Sequence, residues 1–176
     1  MAVDAFIDDN RLKIVEKLGG IGLNTKAGTE AMVKFLEEYF GVQDNTNHRL
    51  GMENGKMTVE PNSVLNIDVV IDCAGIPMFV DEFMKHAKQK ARFCCIALHK
   101  GELPIRFHEI MSTQCSIMGS RGYEPEDIKE VISNLAKKNT KIPEIITHKF
   151  PLEDAAEAFE TATKPACAIK VVLDME

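Results

Sequence analysis

The residues whose types and spacing could do chemistry are few, and they gather where apolar runs end. Ile67 to Pro77 reads I-D-V-V-I-D-C-A-G-I-P, a hydrophobic stretch closing on the small residues Cys73, Ala74 and Gly75. That pattern fits a buried parallel strand that delivers a turn to a ligand crevice at its carboxyl end. A dinucleotide site also needs a Gly-rich first strand-to-helix turn, so that backbone amides can approach a pyrophosphate. No G-x-G-x-x-G precedes Ile67. The expectation is the later part of a nucleotide-binding fold without its first strand and turn.

The other reactive side chains point away from metal or disulfide chemistry. Cys73, Cys94, Cys95, Cys115 and Cys167 are odd in number, mostly within apolar runs, and form no C-x-x-C or Cys/His set at zinc spacing. They read as reduced thiols buried as small hydrophobes. His48 reads as a solvated loop residue, His148 in H-K-F-P-L as a packing or surface residue, and His108 has no supporting pattern. No catalytic residue is assigned.

With 176 residues, 45% apolar and 27% charged, the chain suits one globular domain. A net charge of -6 without a Lys/Arg cluster excludes a nucleic-acid partner, because phosphate backbones are held by cations. No apolar run approaches the roughly 20 residues of a membrane span. The start, M-A-V-D-A-F-I-D-D-N, lacks the basic then apolar order of a secretory signal, so the cytoplasm is expected.

The elements that must position the turns follow from hydrophobic period and breakers. Strands are expected at Ala2 to Phe6, Ile21 to Asn24, Ile67 to Cys73, Arg92 to Leu98 (fully buried), Ser116 to Ser120, Ile145 to Phe150 and Ala168 to Leu173. Helices are expected at Arg11 to Leu18, Thr29 to Phe40, Met78 to Lys90, Glu124 to Lys138 (Ile128, Val131, Ile132 and Leu135 inward) and Leu152 to Ala162. Residues 43–66 are polar and turn-rich, an exposed loop or hairpin insertion rather than core, with Met57 to Val59 the only strand-like fragment. Strands alternating with helices predict an α/β fold, a doubly wound parallel sheet covered on both faces.

The series strand, D-x-x-x-D-C-A-G, helix, strand, G-S turn, helix, then I-T-H-K-F-P-L-E-D-A-A-E-A-F-E and A-I-K-V-V-L resembles the C-terminal, cofactor-domain half of zinc-type medium-chain alcohol, threonine and sorbitol dehydrogenases. The likeness runs from Ile67 to Leu173 and more weakly over Ala2 to Asn24. It implies NAD or NADP as cofactor, with Ala74, Gly75, Ala97, Leu98, Gly119 and Ser120 facing the nicotinamide and its ribose. It further implies Lys170 near the pyrophosphate and Arg11 near the adenosine ribose. The implied activity is hydride transfer between a secondary alcohol or polyol and nicotinamide in the intact enzyme.

Departures from the family pattern are equally specific. The resemblance places zinc in a catalytic domain absent from this chain. The ribose-binding acid aligns with Phe6, leaving Asp4 or Asp8 as nearby acids, and the usual Gly pair before the Arg92 strand is Lys90-Ala91. The missing strand is the centre of the 3-2-1-4-5-6 order, so either the second and fourth strands pair or something else fills the gap. Residues 145–174, which in the family pack on the catalytic domain, need another partner. A homo-oligomer is expected, a dimer through the edge strand Ser116 to Ser120. Two other readings stand beside the dehydrogenase portion: a non-enzymatic oligomerisation or binding remnant, and one half of a split dehydrogenase completed by a catalytic domain in trans.

Overall fold

The computed structural model describes residues 2–4, 9–44, 49–60, 63–137, 141–164 and 166–175. In chain order the elements are β1 (Ala2–Asp4), α1 (Asp9–Lys17), β2 (Gly22–Asn24), α2 (Thr29–Phe40), β3 (Val42–Asp44), β4 (Arg49–Glu53), β5 (Lys56–Glu60) and β6 (Ser63–Leu65). There follow β7 (Val69–Asp72), α3 (Pro77–His86), β8 (Arg92–Cys95), α4 (Phe107–Thr113), β9 (Ser116–Gly119), α5 (Pro125–Ala136), β10 (Ile146–Pro151), α6 (Ala155–Ala162) and β11 (Lys170–Asp174). Alternating strands and helices with parallel ladders make this an α/β fold of the doubly wound kind. No described helix is long and apolar enough to cross a membrane.

The chain forms two compact units, Val33–Gly122 and the combination of Met1–Met32 with Tyr123–Glu176. In the first, β7, β8 and β9 make a parallel sheet in that order, with Val70, Phe93 and Ile117 side by side in register. Those three face a core of Val80, Phe83, Met84, Ala87, Ala91 and Cys115. The Phe83 and Phe93 rings lie 5.1 Å apart, and Phe93 is 1% exposed. A strand period of two sends Val69, Ile71 and Met118 to the opposite face, where all three are exposed. This corrects the expectation of fully buried strands: β7 shows Ile71 at 59%, and Ile96 and Leu98 beyond β8 are exposed too.

Two details of this unit depart from the sequence-based expectation. Residues 43–66 hold more than one strand-like fragment: β3 pairs with β6, and β4 pairs with β5 through the Asn54-Gly55 turn, both residues at positive φ as a two-residue hairpin turn requires. Val64 and Leu65 at the end of this stretch are buried, and Leu65 bridges to Ala87, so the segment ends in the core. Lys90 adopts φ +63°, a left-handed conformation that strains any side chain. Its N–H donates to Thr113 O at 2.9 Å, which fixes it there.

On α3, Lys85 Nζ lies 2.7 Å from Asp81 and 3.0 Å from Glu82. The hydrogen bond from Lys85 holds the Asp81 carboxyl below its ordinary range, with Arg106 adding to the effect, and the same pairing raises Lys85.

In the second unit β1 pairs with β2 and β10 with β11, both in parallel. Leu12 on α1 is buried and lies so close to β2 that a Cβ on Gly22 would stand 2.7 Å from its Cβ. The stripe Ile128, Val131, Ile132 and Leu135 on α5, expected inward, is exposed, Ile132 at 60%. Among the described residues β1 and β2 form a sheet of their own, and neither pairs with β7. Of the five free cysteines only Cys115 is buried, Cys94 and Cys95 are half-buried, and Cys73 and Cys167 are exposed, which corrects the expectation of mostly buried thiols.

Candidate functional site

The three strands of the sheet end together, with Asp72 opposite Cys95 and Cys95 opposite Gly119. Beyond these ends the backbone continues the alignment: Ile96 and Ala97 N–H both donate to Asp72 O at 3.0 Å, and Ser120 N–H donates to Cys95 O at 3.0 Å. Ala74, Gly75, Ala97, Leu98, Gly119 and Ser120 therefore stand at one end of one sheet. Parallel pairing produces this result, because all three strands run the same way and deliver their following turns to a common side.

The first turn is shaped by the side chain of Asp72. Its Oδ1 accepts from the N–H groups of Ala74 and Gly75, each at 2.9 Å, so a buried carboxylate replaces the ladder partners the turning backbone has lost. Gly75 has φ +68°, and a Cβ there would meet Leu98 O at 2.9 Å and Ala97 Cβ at 3.4 Å. Glycine is needed twice over: for its conformation, and for the close approach of the turn after β7 to the turn after β8.

Ala74, Gly75 and Leu98 line a hollow of about 260 Å³ together with Pro77, His99 and residues 100–103. Leu98 is 89% exposed, an apolar side chain held in solvent beside it. Ala97 adjoins the hollow through its contact with the Gly75 position. Gly119 and Ser120 lie outside its lining, and a Cβ on Gly119 would meet no atom within 4 Å. The volume suits one aromatic ring and is below that of sites for whole drug-sized ligands.

Arg11 and Lys170 belong to the other unit. Arg11 Nη2 donates to Ala168 O at 3.3 Å, tying α1 to the segment before β11, and its Nε is buried with no hydrogen-bond partner among the described residues. Lys170 opens β11 with its side chain exposed and its carbonyl accepting from Thr147 Oγ1 at 3.2 Å. His148 packs in parallel with Phe150 at 6.4 Å and pairs with Thr147 Oγ1 at 3.0 Å, a packing role. Phe6, Asp8 and His48 lie outside the described residues, and Asp4 is described only as a backbone position in β1.

Sequence reasoning missed Asp72, Cys95 and His99, whose donor atoms all lie within 4.8 Å of one another. Asp72 was visible as part of D-x-x-x-D-C-A-G; an acid directly before a small-residue turn is a signal for a side chain that caps backbone amides. His99 lies 27 residues further on, and no spacing rule joins the two. The set does not fit zinc. Asp72 Oδ1 serves two amides, the Cys95 thiol donates to Ala97 O at 3.3 Å, and Asp72 Oδ2 lies only 2.7 Å from His99 Nε2. Two ligand atoms sharing one tetrahedral zinc stand roughly 3.3 Å apart, given metal–ligand lengths near 2.0 Å.

The residues do leave room for a flat ring of a nucleotide cofactor. The turns are small, the glycine allows them to meet, and apolar surface stands open beside a ring-sized hollow. Such turns at the carboxyl ends of parallel strands define a nucleotide-cofactor domain of the Rossmann type. The chain belongs to the zinc-binding dehydrogenase family, which residues 5–137 match. It is 27% identical to sorbitol dehydrogenase of Halalkalibacterium halodurans over 107 residues, 60% of this chain and 31% of that protein. It is 26% identical to L-threonine 3-dehydrogenase of Saccharopolyspora erythraea over 152 residues, 86% of this chain and 40% of that protein. The chain thus spans well under half the length of these curated relatives. An Escherichia coli CFT073 structure, described as a short chain alcohol dehydrogenase complexed with NADH, shares the fold at TM-score 0.71 and 21% identity, over 98% of this chain and 44% of that one.

Proposed function

We propose that this chain is the cofactor-domain portion of an NAD(P)-dependent zinc-type alcohol or polyol dehydrogenase, which in the intact enzyme transfers hydride between a secondary alcohol and nicotinamide. One observation carries the reading: the turns after β7, β8 and β9 stand at one sheet end, and where the first two approach most closely sits Gly75, at φ +68° with only 2.9 Å between an added Cβ and Leu98 O. Nicotinamide supplies the hydride chemistry when bound. Ala74, Gly75, Ala97 and Leu98 form its resting surface, Leu98 shields one ring face from water, and Gly119 and Ser120 leave room for the ribose. Lys170 and Arg11 are assigned to the pyrophosphate and the adenosine ribose on family resemblance. Residues 145–174, beyond the 5–137 stretch that matches the family, are assigned to packing on the catalytic part of the intact enzyme. β9 ends its sheet and is assigned to pairing across a homodimer. Five free thiols suit a reducing compartment, so the cytoplasm is the proposed location.

Calorimetric titration of the 176-residue chain with NADH and NADPH tests this reading. Saturable binding to one of them supports it. Absence of saturable binding at millimolar concentrations of both contradicts it for this chain.

A further inference from the structure

The pair formed by Asp72 and His99 has work to do that the cofactor-facing turns do not explain. Asp72 has a side chain with no exposure, and burial of a carboxylate is tolerated only when its oxygens are hydrogen-bonded. Two amides satisfy Oδ1, and the partner left for Oδ2 is His99 Nε2 at 2.7 Å. Of the two ring tautomers, the one with its proton on Nε2 donates to Oδ2, an oxygen placed to accept it. Among the described residues His99 Nδ1 has no hydrogen-bond partner, and it is shut off from solvent, so Asp72 is the hydrogen-bonding group described as orienting the ring. His99 directly follows Leu98, whose carbonyl is the atom that Gly75 approaches. The bond therefore spans the same junction from the other side: the carboxylate grips the Ala74–Gly75 turn with one oxygen and the Leu98–His99 turn with the other.

We propose that His99 is a positioning residue for the hollow, a latch that acts through Asp72 to hold the two turns in contact. Its consequence for the cofactor rests on the function proposed above, while the latch itself is a property of the unliganded chain. Cys95 is the other titratable group beside the pair, and Lys100 and Glu102 line the same hollow.

The test uses the full chain with His99→Gln, which keeps an N–H donor near the same reach, and His99→Leu, which removes it. Without cofactor, nitrogen-15 spectra of the wild-type imidazole are expected to show the proton on Nε2. The amide signals of Ala74 and Gly75 are expected to move strongly in His99→Leu and much less in His99→Gln. A proton on Nδ1 instead, or amide signals unmoved by both substitutions, would overturn the latch. If His99→Leu does not fold, the tautomer and the His99→Gln spectrum still decide. Tight one-to-one zinc binding abolished by Cys95→Ser would also overturn it, because the cluster would then be a metal site. With NADH, His99→Leu is expected to weaken binding about tenfold and His99→Gln to restore most of it. A wild-type chain that binds no NADH defeats the function proposed above, and the unliganded spectra then decide for or against the latch by themselves.

Discussion

Gly75→Ala is the substitution for which the structure gives the sharpest energetic expectation. Two costs act there and can be separated. The first is conformational: φ +68° is left-handed, which costs a side chain about 1–2 kcal/mol, partly offset by about 0.4–1 kcal/mol from the stiffer unfolded chain. The second is steric: a methyl 2.9 Å from Leu98 O must push the turn away, straining the two amide bonds to Asp72, each a charge-assisted bond of about 1.5–3 kcal/mol. Gly41→Ala supplies the control, since Gly41 has φ +78° with no atom within 4 Å of an added Cβ and lies in the same unit. Gly41→Ala is expected to lose about 0.5–1 kcal/mol and Gly75→Ala roughly 2–3 kcal/mol, read by urea denaturation at matched m-values. In a thermal melt the larger loss corresponds to a fall of about 5–10 °C. Equal losses for the two alanines would refute the claim that the turns after β7 and β8 are in contact.

Other expectations follow from single residues. Lys90→Gly relieves the left-handed strain at φ +63° and is expected to stabilise the chain by about 0.5–1 kcal/mol in the same urea assay. Leu98→Asp, at a side chain 89% exposed, is expected to change stability by less than about 0.5 kcal/mol while weakening NADH at least tenfold, about 1.4 kcal/mol; a stability loss larger than the binding loss would return Leu98 to the core. Because the folded Asp81 carboxyl is held below its ordinary 3.8, its pairing with Lys85 stabilises the fold above that pH and is lost as pH falls through the lower folded value. Both side chains are about half exposed, so Asp81→Asn is expected to remove well under 1 kcal/mol near neutral pH and to flatten the acid limb of stability against pH.

Much of the local structure was legible because it is written in period and punctuation. Met32, Val33, Leu36 and Phe40 recur at helical spacing and Gly41 stops them, and α2 spans Thr29–Phe40 as that spacing predicts. V-V-I-D before C-A-G marked both the end of β7 and the turn after it. Burial was less legible, because a hydrophobic stripe states that a face seeks cover and not what covers it. Ile128, Val131, Ile132 and Leu135 lie on one side of α5 as their spacing requires, and they are exposed. Val69 and Ile71, alternating with the half-buried Val70 on β7, are exposed in the same way. Lys90 shows a backbone demand met by a poorly suited residue, which composition conceals. The Asp72–His99 pair was illegible for a different reason: it is a contact between two strand ends, and parallel registry, not sequence distance, creates it.

The central claim is that the turns after β7, β8 and β9 form the surface on which nicotinamide rests. Titrating the nitrogen-15 labelled chain with NADH and following its backbone amides tests that claim most directly. The account predicts saturating shifts concentrated at Ala74, Gly75, Ala97, Leu98, Gly119 and Ser120, with the α5 amides unmoved. Saturating shifts that spare these six positions and fall elsewhere would contradict it.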